Sequence, residues 1–281
     1  MVTGTVTELW RYPVKSMLGE RIDSTDIGKH GVVGDRSFAL IDTETGKVCS
    51  AKRHDLWGGL FRFHARLERP GLATMTFPDG SEHTTDEAGI DDALSDVLGR
   101  RVHLSSTAPE GAVIEEIWDD AKGDQMYGPA SGEAEGQTVI DVTASLAAPG
   151  DFFDLCAIHL ITTNSIEAFA GLEQGSTFDV RRFRPNILVE VGDQDGFVEN
   201  EWKVIRIGDL ELRTLMPVPR CVMTTLEQED LPRDPNILRS AARHNMLDTK
   251  VVGQMPCAGL YLSVANGSTV TVGDTVTAEL G

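Results

Sequence analysis

Short apolar stretches separated by turn residues run along the whole chain, and they constrain its fold more than any other feature. Runs of β-branched and aromatic residues that end at Gly, Pro, Asn or Asp are typical of strands. Strands are predicted at 5–12, 36–42, 64–69, 72–77, 101–105, 112–117, 157–162, 187–191, 204–207, 210–215 and 259–265. Because strands and helices do not alternate regularly, the pattern predicts a mainly β (α+β) protein, with a β-barrel-like core and a few peripheral helices.

Hairpins and helices follow from turn and cap residues at the ends of these stretches. Three hairpins are predicted: 36–42 with 47–51, 204–207 with 210–215 around Gly208-Asp209, and 269–278 around Gly273-Asp274. Three helices are predicted: 86–98 between a Thr84 or Thr85 cap and Gly99, 165–172 after a Thr163 or Asn164 cap, and 234–243 with Pro235 in its first turn.

A change in composition suggests where the chain divides. Residues 119–136 are rich in Asp, Gly, Glu and Ala and contain few apolar side chains. Such segments are typical of exposed connections between domains. We therefore predict two β-rich domains, 1–118 and 119–281, with 119–136 as the connection that opens the second.

The charge of the chain argues against several classes of partner. Its 25 Lys and Arg residues face 44 Asp and Glu residues, which gives a formal charge of −19. Such a charge opposes binding to nucleic acid and to anionic membranes. No apolar run approaches the roughly 18 residues that span a bilayer, and the N-terminus lacks the pattern of a secretory signal. We predict a cytoplasmic protein that binds neither nucleic acid nor membranes.

The four cysteines do not form a recognisable metal or disulfide framework. They lie far apart, at positions 49, 156, 221 and 257, with no Cys-x-x-Cys pair. This spacing disfavours zinc ribbons, thioredoxin-type redox chemistry and the common iron–sulfur patterns. Reduced thiols are expected.

One cysteine has an unusual context, in the segment Leu215–Leu226 (LMPVPRCVMTTL). Pro219 predicts a stiff approach that is not regular strand, so that Cys221 lies where a loop leads into a strand. The neighbouring Arg220 would stabilise a thiolate, which is a nucleophile and a soft metal ligand. The alternative is that Cys221 is a small buried apolar side chain.

A basic cluster stands out in this acidic chain. Arg181, Arg182 and Arg184 lie within four residues. They could bind an anion, or they could pair with carboxylates on a solvated surface.

Several motifs, taken together and in order, resemble one family. They are residues 4–16 (GTVTELWRYPVKS), 34–42 (GDRSFALID), 183–189 (FRPNILV), 205–226 (IRIGDLELRTLMPVPRCVMTTL) and 272–276 (VGDTV). This order resembles the molybdenum-cofactor sulfurase C-terminal (MOSC) domain family. More closely, it resembles members with an N-terminal β-barrel domain, which include the mitochondrial amidoxime reducing components and their bacterial counterparts.

The resemblance implies a molybdenum cofactor, a molybdopterin that carries molybdenum, between two β-rich modules. It implies that 1–118 is the MOSC N-terminal domain and 119–281 the MOSC domain, and that Cys221 is the metal ligand and the catalytic residue. The cofactor-binding positions that it implies are Lys15, Ser16, Arg36, Lys52, Thr163, Arg184, Asn186 and Arg220. Their chemistry is suitable, because arginine forks and lysines bind phosphate and a thiolate binds a soft metal.

Three functions remain open on this basis. The first is a molybdenum oxidoreductase that reduces small N-hydroxylated substrates, such as amidoximes and hydroxylamines, with electrons from a separate electron-transfer protein. The second is a sulfur carrier with a persulfide on Cys221, and the third is a cofactor-binding protein without activity. Neither a pyridoxal-phosphate sulfurtransferase domain nor a ferredoxin-like domain is expected in this sequence, and pyridoxal phosphate is not expected as a cofactor.

The sequence departs from the family pattern at three places near the proposed site. Pro219 stands where relatives often have serine, Glu227-Gln228 replaces an Asp-Pro pair, and Cys257-Ala258-Gly259 stands where relatives have a Phe-Gly pair. We expect these changes to affect the substrate pocket more than the cofactor site.

Overall fold

The computed structural model describes residues 1–118, 132–134, 137–143 and 151–281. Its strands are β1 Val2–Arg11, β2 Glu20–Ile22, β3 Ser24–Gly28, β4 Gly31–Val32, β5 Ala39–Asp42, β6 His64–Arg69, β7 Leu72–Thr76, β8 Glu82–Thr84, β9 Val102–Ser105, β10 Val113–Trp118, β11 Gly132–Ala134, β12 Gln137–Thr143, β13 Ile158–Thr162, β14 Ile187–Glu190, β15 Trp202–Ile207, β16 Leu210–Pro219, β17 Met246–Asp248, β18 Gln254–Asn266, β19 Ser268–Thr271 and β20 Thr275–Leu280. The predicted mainly β class is confirmed.

Helices are few and short. The α-helices are α1 His54–Trp57, α2 Ile90–Leu98, α3 Thr163–Leu172, α4 Val180–Phe183 and α5 Asn236–His244. Single 3₁₀ turns lie at Gly58–Arg62, Val198–Glu201 and Val222–Thr225. In the described ranges, none of the helices combines the length and the apolar character needed to cross a membrane.

Seven strands close into a barrel. Their order is β13-β14-β1-β20-β15-β16-β18, and β18 pairs back onto β13. All of these pairings are antiparallel except that of β13 with β14. Inward-facing apolar side chains such as Leu160, Ile187 and Leu212 are fully buried, so the barrel interior is a packed core.

A second core lies beside the barrel and belongs to the first half of the chain. Three small sheets, β5-β9, β6-β7-β8 and β10-β12-β11, form this N-terminal module together with α1 and α2. Its centre is a separate apolar cluster that includes Trp57, Phe63, Met75 and Leu94. The site discussed below lies where this module meets the barrel.

Strand pairing crosses the predicted domain boundary in both directions. The first strand, β1, lies within the barrel between β14 and β20, although it begins the chain. Conversely, β12 pairs with β10 of the N-terminal module along six residue pairs. Of the predicted connection 119–136, only 132–134 are described, as strand β11, and the rest lies outside the described residues. The division at 118/119 therefore stays a prediction.

Two of the predicted hairpins differ in the structure. The turn at Thr271 to Asp274 forms, but β19 pairs with β3 and β20 pairs with β1 and β15, so 269–278 is not a hairpin. Residues 47–51 return antiparallel onto the preceding strand, as predicted, but they pair with it at one bridge, from Ile41 to Val48, with two backbone hydrogen bonds beside it. Strand β9 pairs with β5 along four residues. Local turn residues specify a change of direction but not the partner strand. The hairpin around Gly208-Asp209 is confirmed.

The helix starts were also predicted imperfectly. Helix α2 begins at Ile90 after Gly89, whose φ is +85°, and its Thr caps do not form. Helix α3 is capped by Thr162, whose hydroxyl accepts a hydrogen bond from the Ser165 amide at 3.2 Å. The cap is thus one residue earlier than predicted.

Around Cys221 the prediction of an irregular approach followed by a strand was wrong, since the strand precedes Cys221 and does not follow it. Strand β16 continues through both prolines to Pro219, and a 3₁₀ turn rather than a strand follows Cys221. The pairing of β16 with β18 shifts register on either side of Pro217, which accommodates residues without an amide donor.

Gly259 offers a direct test of how tightly the barrel packs at the site. Its φ is +80°, and a Cβ at this position would lie 2.5 Å from both His159 Nε2 and the Leu160 carbonyl oxygen. We expect Gly259→Ala to lower the free energy of unfolding by more than about 2 kcal/mol, since strain and overpacking add. Gly80 has φ of +86° with no atom within 4 Å of such a Cβ, so Gly80→Ala isolates the strain.

Chemical denaturation of both variants measures the difference. Equal losses of stability for Gly259→Ala and Gly80→Ala would show that the close approach to His159 is unimportant.

Candidate functional site

A cavity lies between the N-terminal module and the barrel. Eight of the nine predicted site residues line it: Lys15, Ser16, Arg36, Lys52, Arg184, Asn186, Arg220 and Cys221. These residues come from sequence positions more than 200 apart, so the fold brings together what the motifs only ordered along the chain.

Thr163 is the predicted site residue that the structure does not bring to the cavity. It begins helix α3 beyond the end of β13, and its hydroxyl lies 3.5 Å from Asn164 Oδ1. The side chain of β13 that does line the cavity is His159, four residues earlier.

Two lysines are held at one side of the cavity by the partly exposed Asp154 and the buried Glu116. Lys15 donates to the Phe152 carbonyl oxygen at 2.8 Å and to Asp154. Lys52 forms an ion pair with Glu116, and its Nζ lies 3.6 Å from Asp154 Oδ2. Burial lowers the pKa of Lys15 despite Asp154. Burial also opposes the charge on Lys52, but Asp154 and Glu116 raise its pKa well above the ordinary value.

Arg184 and Arg36 approach each other across the cavity wall. Arg184 lies at the end of α4 and donates from Nη1 to the Met17 carbonyl oxygen at 2.8 Å. Arg36 pairs with Asp35 and donates from Nη2 to the Arg184 carbonyl oxygen at 3.4 Å. Burial, followed by the charge of Arg36, lowers the pKa of Arg184 to about 10. Arg184 is therefore buried with little compensation of its charge.

The Arg220 side chain makes more hydrogen bonds to the protein than that of Arg184 does. Its side chain donates to the Ala258 carbonyl oxygen from Nε at 3.0 Å and again from Nη2, and to the Phe183 carbonyl oxygen at 3.0 Å. It also donates to His159 Nε2 at 2.6 Å. Burial lowers the pKa of His159 well below its ordinary value, and Arg220 lowers it further, so the imidazole is the neutral acceptor. Arg220 thus ties the end of β16 to β13, α4 and β18.

Cys221 follows Arg220 and lines the cavity, but its thiol is not activated in the way predicted. Burial raises the pKa of Cys221, and the cation that lowers it most is Lys52 rather than Arg220. The reason is that Arg220 turns its guanidinium toward carbonyl groups and His159. The charge of Cys221 still raises the pKa of Arg220, so the two groups attract, but Arg220 is not the main cation beside the thiol.

Asn186 and Ser16 organise the backbone of the site. Asn186 Nδ2 donates to Asp35 Oδ2 at 3.0 Å, and its Oδ1 accepts from the His159 amide at 3.1 Å. Ser16 Oγ accepts from the Ala51 amide at 3.1 Å, next to Lys52. Both side chains are committed to protein partners, so they position the cationic residues around them.

Backbone strain is concentrated at this site. The described residues include six non-glycine residues with positive φ, and three of them are predicted site residues: Ser16 at 62°, Arg36 at 47° and Arg184 at 54°. Such conformations cost on the order of 1–3 kcal/mol each and cluster at binding and catalytic sites. The presence of three such residues around one cavity is consistent with a binding role for it.

The three clustered arginines behave differently from one another. Arg181 is partly exposed and pairs with Asp179, Glu229 and Asp230, as the surface interpretation predicted. Arg182 is buried and donates to four backbone carbonyl groups, three of them in the segment after Cys221. Only Arg184 of the three combines burial with spare hydrogen-bond donors at the cavity.

The cavity carries excess positive charge. Six basic side chains line it, against two carboxylates, in a chain whose formal charge is −19. Among the described residues, the side-chain hydrogen bonds of Arg184 and Arg220 go to carbonyl groups and to His159, with no carboxylate partner. Buried charges are normally paired, so the donor set suits an anionic ligand, and Cys221 adds a soft metal ligand.

Several residues of the site gave no clear signal in the sequence. Asp154 and Glu116 pair with the two lysines, and His159 orients Arg220, but all three occur singly in otherwise ordinary segments. A buried strand with one histidine, such as Ala157–Thr162 (AIHLIT), is the only hint that the sequence offered. Their partners are more than 60 residues away, so spacing could not have revealed them.

In comparison with known proteins, family models match both parts of the chain that line the cavity. A family model described as the MOSC domain matches residues 150–277, and one described as the MOSC N-terminal beta barrel domain matches residues 3–116. Mitochondrial amidoxime reducing component 2 from Rattus norvegicus is 26% identical over 290 residues, which cover 97% of this chain and 82% of that protein.

Two further relatives extend the comparison. Mitochondrial amidoxime-reducing component 1 from Homo sapiens is 25% identical over 306 residues, which cover 97% of this chain and 82% of that protein. Molybdenum cofactor sulfurase from Drosophila grimshawi is 26% identical over 239 residues, which cover 83% of this chain but 29% of that longer protein.

Proposed function

Because this chain belongs to the family of proteins in which a MOSC domain follows a MOSC N-terminal β-barrel domain, we propose that it is a molybdenum-cofactor-dependent reductase of N-hydroxylated compounds. The observation that carries this proposal is the cavity, in which incompletely compensated cations lie around the thiol of Cys221. The names of the amidoxime reducing components support amidoximes as substrates. We include hydroxylamines in the proposal because they contain the same type of N–O bond.

In this proposal different residues of the cavity bind the metal, bind the phosphate and position the binding residues. Cys221 would bind the molybdenum through its sulfur. Arg36, Arg184 and Lys15 would bind the anionic pterin phosphate, since each keeps hydrogen-bond donors at the cavity. Arg220, Asn186 and Ser16 would act mainly by fixing the backbone and the neighbouring cations in position.

The reaction requires two electrons and two protons. An amidoxime takes up both, its N–O bond breaks, and the products are an amidine and water. The bound molybdenum would supply the two-electron chemistry. The raised pKa of Lys52 keeps its Nζ protonated, so this side chain contributes a fixed positive charge. Buried side chains around Cys221, among them Met223, restrict water at the thiol.

The remaining features of the proposal concern the setting of the enzyme. We propose that a separate electron-transfer protein supplies the electrons, and that the substrates are small molecules rather than nucleic acid. Residues 1–118 and 119–281 are proposed as the two domains, and a cytoplasmic location stays a prediction from sequence.

Turnover with an artificial electron donor tests the proposal. Protein loaded with cofactor in a competent host should convert a model amidoxime to its amidine when a reduced viologen dye is supplied. It should show no turnover without the dye, since no electron source is proposed within the chain. Amidine formation is measured by chromatography, with protein from a host that cannot make the cofactor as the matched control.

The rival function makes an opposite forecast. A sulfur carrier would give an intact mass one sulfur atom heavier, localised to Cys221 and removed by a thiol reductant. That adduct, together with no amidine from molybdenum-loaded protein, would rule out the reductase.

A further inference from the structure

Two arginines of the cavity share one aromatic ring. The guanidinium carbon of Arg36 lies 4.4 Å from the centroid of the Tyr12 ring, and that of Arg184 lies 4.2 Å from it. Tyr12 is 2% exposed and lies within the motif 4–16, but it is not among the residues that line the cavity and was not a predicted site residue. The arrangement places two like charges, that of the buried Arg184 and that of the largely buried Arg36, on one ring, which requires a physical reason.

The ring itself supplies part of that reason. Burial raises the pKa of Tyr12 well above its ordinary value, although both arginines lower it, so the phenol remains neutral. The face of a neutral aromatic ring carries partial negative charge, and it attracts a guanidinium most strongly where water is excluded. The ring therefore offsets part of the repulsion between Arg36 and Arg184.

The backbone conformation of both arginines and the contacts of Asp35 hold this arrangement in place. Both arginines have positive φ, 47° and 54°, which a side chain of this kind adopts only when the surroundings enforce it. Asp35 enforces it from one side, since its Oδ1 accepts the Tyr12 amide at 2.7 Å and its Oδ2 pairs with Arg36. Thus the ring and both arginines are fixed relative to one another through independent contacts.

We propose that Tyr12 is a positioning residue, whose ring holds Arg36 and Arg184 together as one preformed clamp for a phosphate-type anion. This inference rests on the proposed function in taking the cofactor phosphate as the natural ligand. Without the ring, the two charges would separate, and an anion would have to draw them together as it binds. The anion would therefore bind more weakly.

The hydroxyl group of Tyr12 is not part of this role. Its oxygen is buried and has no hydrogen-bond partner among the described residues. Tyr12→Phe keeps the ring and removes an unsatisfied polar group, so we expect unchanged anion affinity and a melting temperature that is equal or higher. Tyr12→Leu removes the ring, and we expect roughly tenfold weaker anion binding, as for loss of a desolvated cation–π contact.

Graded fluorination of the ring gives a test that does not disturb packing. Phenylalanine and its di-, tri- and pentafluorinated analogues are incorporated at position 12, and inorganic pyrophosphate is titrated into the cofactor-free protein. Because each fluorine weakens the negative face of the ring, pyrophosphate affinity should fall stepwise along the series. Constant affinity along the series would overturn the proposal, and so would a loss of affinity in Tyr12→Phe.

A double-mutant cycle separates positioning from general stability. In an Arg36→Ala background the clamp is already broken, so Tyr12→Leu should cost much less pyrophosphate affinity than in the wild type. Equal losses in both backgrounds would overturn the proposal. Since pyrophosphate is the probe, these outcomes do not depend on molybdenum or turnover. Failure of the reductase assay with an intact fluorination series would count against the proposed function alone.

Discussion

Cys221→Ala should lose bound molybdenum and amidoxime reduction together, while the fold remains intact. The thiol is the soft ligand of the cavity in our proposal, and changes even to outer partners of a metal ligand cost about 10- to 100-fold in metal affinity. We therefore expect a loss of affinity beyond about 100-fold for the ligand itself. Molybdenum is measured by elemental analysis and the fold by thermal unfolding.

Cys156→Ala is the matched control for this variant. Cys156 lines the same cavity and is the same side chain, but it lies outside the Arg-Cys motif. It should retain molybdenum, as should substitution of the buried Cys49 and Cys257. Equal loss of metal in Cys156→Ala and Cys221→Ala would mean that the thiol of Cys221 has no special role.

Arg184→Ala should have the second-largest effect, on cofactor retention rather than on stability. Arg184 is 8% exposed and, among the described residues, its side chain makes one hydrogen bond, to the Met17 carbonyl oxygen. Removing a charged hydrogen-bond donor from a buried anion costs about 1.5–3 kcal/mol, which is about one to two decades in affinity. Pterin content after gel filtration measures this loss.

Arg181→Ala controls for the loss of positive charge in the same segment. Arg181 lies three residues away, is partly exposed, and already pairs with three carboxylates. Its removal should change cofactor content little, since exposed ion pairs contribute about 0–1 kcal/mol. Similar pterin content in Arg184→Ala and wild type would contradict the proposed anion clamp.

Arg184 and Arg220 differ in a way that could not be predicted from the sequence, namely in how many of their hydrogen-bond donors the protein itself satisfies. Both were predicted to bind the cofactor, and both line the cavity. The sequence could not show that Arg220 is saturated by Ala258, Phe183 and His159. Those acceptors come from three distant elements, and hydrogen bonding to them depends on how the strands pair.

For the fold, too, local features could be predicted from the sequence, whereas long-range strand pairings could not. Strands such as β13 and the hairpin β15–β16 were predictable, because alternation and turn residues act over a few positions. The entry of β1 into the barrel and the pairing of β19 with β3 depend on contacts between residues at least 178 positions apart in the sequence. Periodicity carries no information on such partners.

The molybdenum content of the wild-type protein tests the central claim most directly. Protein purified from a host that makes the cofactor is analysed for molybdenum and, after oxidation, for pterin fluorescence, next to Cys221→Ala prepared identically. We predict about one molybdenum and one pterin per wild-type chain, and little of either in the variant, since one thiol binds one metal. Wild-type protein without molybdenum, or with molybdenum that Cys221→Ala retains in full, would contradict it.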